Sequence, residues 1–589
     1  MATKHSVAVP RPEFPRPDLE RTDWMTLNGE WEFRFDDGDR GLTERYYAPG
    51  VPGFDRRILV PFCYQSASSG LGIEATHETV WYRRSFRVPT QWAGRRLLLK
   101  FGAVDYRADV WVNGTHTVTH EGGYTPFEAD ITPYLGSGDV ELVVRAWDPD
   151  DAGFPRGKQS WRGERFGCWY TPCTGIWQSV WVEAVGESAI RYSRIDSDVD
   201  RRQAWFQVEI DRFLPGLELR VEVSFAGSLR RVVQTLVDAL TVRLAVDLTW
   251  KDELDPVYLW WPDRPNLFDV QLILWKDGRE LDRVKTYFGM RKIEVVNGTV
   301  VLNGVPFVQK LILDQGYWPD SLLTPPSDEA LVKDIELSKA FGFNGARKHQ
   351  KAEDPRYYYH ADRLGLLVWA ELPSAYRFSD TAMTNSLRDW QEFIRRDRNH
   401  PSIVTWVPLN ESWGVANILT DPDMQNYARA LYRLTKALDP SRLVSGNDGW
   451  EQVESDLCAI HDYTASGEGF TAKTRDLEHY LESKSDWRLL YARGSFHGGE
   501  PLLLTEYGGI AFSDKKPGEW GYNDTVGTEA EFLARFASMS RAALDHPHFQ
   551  GVCYTQLTDV QQEVNGLTTP DRKPKVDPGA IRAILAHRR

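Results

Sequence analysis

Apolar residues along this chain follow two rhythms, and the change between them falls near residue 290. Before that point, short runs alternate apolar and polar positions, as half-buried strands do when successive side chains face opposite ways. Examples are W-Y-R-R-S-F at 81–86, L-L-L-K-F at 97–101 and L-E-L-R-V-E-V at 217–223. Gly, Pro, Asn and Asp cut these runs, and Asn113-Gly114 between two of them is a two-residue hairpin signal. The strand density over 27–185 predicts a sandwich of jelly-roll type, and the runs over 187–290 predict a second, immunoglobulin-like sandwich. Prolines 10, 12, 15 and 17 make the first 22 residues an extended lead-in.

After residue 290, continuous apolar runs alternate with amphipathic helices, which predicts a parallel sheet covered on both faces. Strands are expected at 307–313, 343–348, 366–372, 403–413, 443–446, 457–461, 502–509 and 551–557. Between them, Ser327 and the pair Asp354-Pro355 have the form of helix starts. Eight such strands predict a (β/α)8 TIM barrel. The expected organisation is a jelly-roll domain over 1–186, a sandwich over 187–290 and a barrel over 291–589.

Charge and composition narrow the partners. A net charge of −14 argues against nucleic acid or an anionic membrane. No run approaches transmembrane length and the start lacks a signal-peptide core, so the expected location is cytoplasmic. Tryptophan is the outlier, with 23 residues whose faces suit either cores or sugar rings. Five scattered cysteines, including the close pair Cys168 and Cys173, read as reduced thiols.

Two of the barrel runs end in acids. I-V-T-W-V-P-L-N-E-S-W (403–413) carries Glu411, and L-L-L-T-E-Y-G-G (502–509) carries Glu506. Carboxylates at strand ends project into a barrel mouth, and two of them can divide the roles of acid and nucleophile in retaining glycoside hydrolysis. Like charges held close also separate each other's pKa values, which that division needs. No zinc spacing, phosphate-cradling glycine loop or Ser/His/Asp arrangement competes with this pair.

The chain resembles glycoside hydrolase family 2, the family of β-galactosidase and β-glucuronidase. The likeness rests on G-I-W-Q-S-V-W (175–181), F-N-G-A-R-K-H (343–349), A-D-R-L-G-L-L-V-W-A-E (361–371), N-E (410–411), T-E-Y-G (505–508) and D-R-K-P-K (571–575). It implies that Glu411 is the acid/base and Glu506 the nucleophile. It further implies that Arg347 and Tyr463 hold the nucleophile, that Asn410 binds the sugar's 2-hydroxyl, and that Glu371 lies near the pocket floor. His461 falls where relatives often carry asparagine. Asp314, Trp318, His349, Trp413, Gln556 and Asp559 fall at predicted strand ends and are candidate sugar contacts.

Strand eight lacks the expected tryptophan, and Lys348-His349-Gln350 depart from the family pattern. β-Glucuronidases of the family place an asparagine-x-lysine pair shortly before D-R-K-P-K. Here those positions are Glu563 and Asn565, and 560–569 contains no Lys or Arg. A buried carboxylate without a cation is costly. The expected reaction is therefore retaining exo-hydrolysis of neutral β-glycosides, β-galactosidase-like on family frequency. The alternatives are β-glucuronidase, another β-glycosidase such as a furanosidase, and a catalytically dead carbohydrate-binding protein. No cofactor is expected; some β-galactosidases of the family use Mg2+ and Na+, and no ligand set for either can be read here. The expected partner is a small carbohydrate, with homo-oligomerisation left open. The stretch 156–172, rich in Trp and Arg, is the expected contribution of the β domains to the barrel mouth, because exo-acting sites must be closed at one end.

Overall fold

The computed structural model describes residues 9–249, 258–485, 488–514 and 516–586, so the first eight residues of the lead-in lie outside it. The first domain packs a four-stranded sheet against a six-stranded one. Their inner faces bury Trp31, Phe33, Tyr82, Leu99, Val110 and Val144. Asn113 and Gly114 both take positive φ (50° and 79°), as the expected hairpin requires. The cysteine expectation is corrected here. Cys173 pairs with Cys63 as a disulfide, Cα–Cα 5.5 Å, while Cys168, Cys458 and Cys553 are free. The two partners are 110 residues apart in sequence, so spacing gave no sign of them.

The second domain is a sandwich of a three-stranded and a four-stranded sheet. In Leu217–Phe225 the odd positions Leu217, Leu219, Val221 and Val223 are fully buried, as the alternation predicts. Arg21 of the lead-in ties the two sandwiches together. It donates to Asp282 (2.9 and 2.8 Å) in the second and to Glu183 (2.6 Å) in the first.

A small meander missing from the sequence reading follows: Ile293–Val296, Thr299–Leu302 and Val305–Pro306. Its signal was present, since Asn297-Gly298 and Asn303-Gly304 both make positive-φ turns. Ile293, Val300 and Leu302 pack with Leu311, Leu367, Val404 and Leu503 of the barrel strands, so the meander plugs the barrel floor.

The barrel strands are β1 (Gln309–Asp314), β2 (Gly345–Lys348), β3 (Leu367–Glu371), β4 (Ile403–Val407), β5 (Leu443–Val444), β6 (Cys458–His461), β7 (Leu502–Gly508) and β8 (Phe549–Thr555). They form one parallel sheet in the order β5-β4-β3-β2-β1-β8-β7-β6. At the seam between β5 and β6, Asp456 N donates to Val444 O (2.9 Å). The helices start where the sequence places them. Ser327 accepts from Ala330 N and Asp354 from Arg356 N, each satisfying a donor that the first turn leaves open. Strand β4 is shorter than the apolar run suggests. It stops at Val407, and Glu411 stands four residues beyond it in a turn, with Glu411 (φ 53°) and Ser412 (φ 57°) both left-handed. No helix among the described residues is long and apolar enough to cross a membrane.

Candidate active site

One guanidinium gathers the mouth of the barrel. Arg347, at the end of β2, is fully buried and donates through NH1 to Thr505 O and Glu506 Oε1 (both 2.9 Å). NH2 donates to Asn410 Oδ1 (2.5 Å), and Nε contacts Glu371. Such a planar fork has the donors to fix several acceptors at once. With Asn410's oxygen taken by Arg347, its buried Nδ2 has no partner among the described residues and remains free to donate. His349 Nδ1 lies 2.8 Å from Glu371 Oε2, and burial, with Lys158 and Arg347 nearby, pushes this imidazole far down in pKa, so it is neutral.

Glu506 lies within β7 and its carboxylate has a second donor, Tyr463 OH, 2.5 Å from Oε2. Tyr463 in turn stacks on Tyr522 (4.2 Å between centroids). Glu411 is reached from the other side. His461 Nδ1 sits 2.9 Å from Glu411 Oε1 and Nε2 sits 2.7 Å from Asp448 Oδ1, with Glu506 Oε1 at 3.6 Å. Burial opposes a charged imidazole. The field of Glu506 and the hydrogen bonds to Asp448 and Glu411 outweigh it, raising the pKa to about 10. Burial would raise Glu411, but the bond and charge of His461 bring its carboxyl below the ordinary value.

The donor atoms of Glu411, His461 and Glu506 all lie within 4.8 Å of one another. A metal ion does not fit this trio. Both ring nitrogens of His461 are engaged by carboxylates, and Arg347 already supplies a cation 2.9 Å from Glu506.

Not every candidate joins this network. Trp413 does, with Nε1 3.2 Å from Glu411 Oε2. Gln556 lines a neighbouring wall, accepting from Gln315 (2.9 Å) and donating to Asn565 (2.8 Å). Asp314 is committed elsewhere, to Lys348 (2.9 Å) and Gly316 N (2.9 Å). Trp318 is a core ring with Lys351 and Arg572 over its faces, and Asp559 is held by Lys575 (2.7 Å) and Gly566 N (2.8 Å). These three are brace residues rather than neighbours of the acid pair. The sequence reading missed Asp448, which stands in S-G-N-D-G-W and looks like an ordinary turn acid. It also missed Tyr376 and Tyr522, which no strand end marks.

The stretch 156–172 does reach the mouth. Arg156 N and Gly157 N donate to Ser374 O (3.0 and 3.1 Å), and Tyr376 OH donates to Gly157 O (2.5 Å). Tyr170 OH donates to Glu563 Oε2 (2.7 Å), and Trp520 Nε1 and Gln562 Nε2 both donate to Gly167 O (3.1 and 2.7 Å). Lys158, also on this stretch, is buried beside Cys168 in the fields of Glu563 and Glu411, which with Tyr376 raise its pKa against burial.

Three family models match in succession: the sugar binding domain of glycosyl hydrolases family 2 over 24–164, the family 2 model over 189–291, and the family 2 TIM barrel domain over 326–584. A β-glucuronidase from Chlorocebus aethiops is 27% identical over 73% of this chain and 70% of its own. A β-galactosidase from Thermoanaerobacter pseudethanolicus is also 27% identical, over 62% of this chain and 48% of its own. Among solved structures, a β-glucuronidase from an uncultured Clostridium sp. superposes with a TM-score of 0.78 at 21% identity, covering 98% of this chain and 99% of that one. Fold, domain order and family models agree, and the chain belongs to glycoside hydrolase family 2.

Proposed function

We propose that this glycoside hydrolase removes terminal β-linked sugars with retention of configuration, Glu506 acting as nucleophile and Glu411 as acid/base. The observation that carries the reading is the acid pair itself. A carboxylate oxygen of each lies within 4.8 Å of the other, in keeping with the short separation that direct attack by a nucleophile needs. Glu506, held by Arg347 and Tyr463, attacks the anomeric carbon. The glycosidic bond breaks and its oxygen takes a proton from Glu411. Water then attacks the same carbon, gives its proton to Glu411, and Glu506 leaves as carboxylate. His461 Nδ1 holds a proton 2.9 Å from Glu411 Oε1, and shifting it along that bond charges the acid once substrate has displaced water. Asn410 Nδ2 is placed for the 2-hydroxyl.

For the sugar, the relatives' names support a β-glucuronide best. Lys158 is the residue that would meet its carboxylate, since it is a buried cation of the 156–172 stretch in the fields of Glu563 and Glu411. Lys348, a basic residue at the end of β2, is used up by Asp314 (2.9 Å) and Glu353 (2.8 Å). A neutral sugar, a galactoside first, is the second reading. It rests on Glu563, a buried carboxyl where a uronate would want positive charge. The test is kcat/KM on aryl β-glucuronide, β-galactoside and a β-furanoside, with wild type and Lys158→Met. A glucuronidase loses its uronide activity with Lys158, whereas a galactosidase prefers the neutral substrate from the outset. Glu506→Ala should abolish turnover, with azide restoring it as the inverted glycosyl azide; activity surviving in that variant contradicts the assignment.

A further inference from the structure

Five half-buried rings from two domains meet beside the acid/base. Trp161, Phe166 and Trp169 come from the jelly-roll domain, and Tyr376 and Trp413 come from the barrel. Trp161 stacks on Tyr376 (4.3 Å between centroids) and Phe166 on Trp169 (4.8 Å). Trp169 meets Trp413 edge-on (5.2 Å), and Trp413 Nε1 donates to Glu411 Oε2 (3.2 Å). These rings are left partly open, whereas Trp31, Trp177 and Trp406 elsewhere in the molecule are fully buried.

Their position follows from the chemistry of the acid. The proton of Glu411 goes to the glycosidic oxygen, which departs with the leaving group. That group therefore lies against the open side of Glu411. One carboxylate oxygen faces His461, which is fully buried, and the other faces Trp413, which is not. The open side is the side of the rings. Beyond Phe166 the surface continues into a cleft of about 470 Å3, lined also by Arg165, Trp520 and Gln562.

We infer that Trp161, Trp169, Tyr376 and Trp413 form the leaving-group subsite, and that it takes a leaving group with a flat, uncharged ring face. This rests on the retaining-glycosidase reading above but not on which sugar is cleaved. A planar aryl aglycone and a second pyranose both present such a face, and both gain from lying on an indole. The jelly-roll domain, through Trp161 and Trp169, thereby shares with the barrel in selecting what is released.

Trp161→Ala tests this, because Trp161 touches neither carboxylate. Three substrates of the same sugar are compared: a methylumbelliferyl glycoside, a disaccharide, and the β-glycosyl fluoride, whose leaving group has no ring. The expected result is a fall of about tenfold in kcat/KM, carried by KM, for at least one ring-bearing substrate. The fluoride should stay within about twofold, and Trp161→Phe should recover most of the loss. A fall confined to the aryl glycoside identifies an aglycone face, and one shared by the disaccharide identifies a sugar face. Equal losses on all three substrates, or none on any, overturn the inference. Wild type that hydrolyses none of the glucuronyl, galactosyl and furanosyl fluorides sinks the glycosidase reading instead.

Discussion

At position 461 an imidazole stands among three carboxylates, and its charge sets a pH dependence that can be stated with its sign. The pKa of about 10 exceeds that of an ordinary histidine, about 6.5. A group raised on folding contributes stability that is fully present below the unfolded value and is lost as pH climbs through the folded one. The stability gap between wild type and His461→Asn should therefore shrink between pH 6.5 and about 10. Denaturant titrations at both ends of that window check it, and a gap that does not change with pH contradicts a charged His461. The same variant should shift the alkaline limb of kcat/KM to lower pH, because Glu411 loses the imidazolium that supplies its proton.

Among elements, the stretch 156–172 hinges on Gly157. A Cβ there would lie 2.1 Å from Gln350 O, at a φ of +60°. Gly157→Ala should cost about 1–3 kcal/mol of stability and lower kcat/KM, since the loop cannot keep its bonds to Ser374 O. Gly216→Ala is the control, with φ +78° and nothing within 4 Å: it carries the backbone strain without the clash and should leave kcat/KM intact. The barrel strands were legible in the sequence because both their faces are buried, which writes unbroken apolar runs such as 403–407. The end of β4 was not, because Pro408 and Leu409 prolong the apolar run after the ladder has stopped. Glu411 and Glu506 were legible as candidates because acids are conspicuous at the end of such runs. Asp448 and Lys158 were not, because their partners come from other turns and another domain. Asp314 shows the converse error: its strand end was right, but its carboxylate pairs with Lys348 and not with the acid pair.

For the whole molecule, rigid docking of the domains is a condition of the chemistry. Arg21 is buried between Asp282 and Glu183, so Arg21→Met leaves Asp282 buried without its cation and Glu183 with Lys100 alone, 3.4 Å away. The expected cost is about 3–5 kcal/mol, seen by calorimetry as a lower melting temperature; a variant that melts with wild type means the triad contributes little. The placement of the rings beside Glu411 has a consequence in inheritance. Trp161 and Trp169 are written far from the acid pair in the coding sequence, whereas Trp413 stands two codons from Glu411. Substitutions at 161 and 169 can therefore retune which conjugates are opened while both carboxylates stay as they are. A lineage can thus follow a changing supply of glycosides by editing a loop, and its barrel will keep little record of the change.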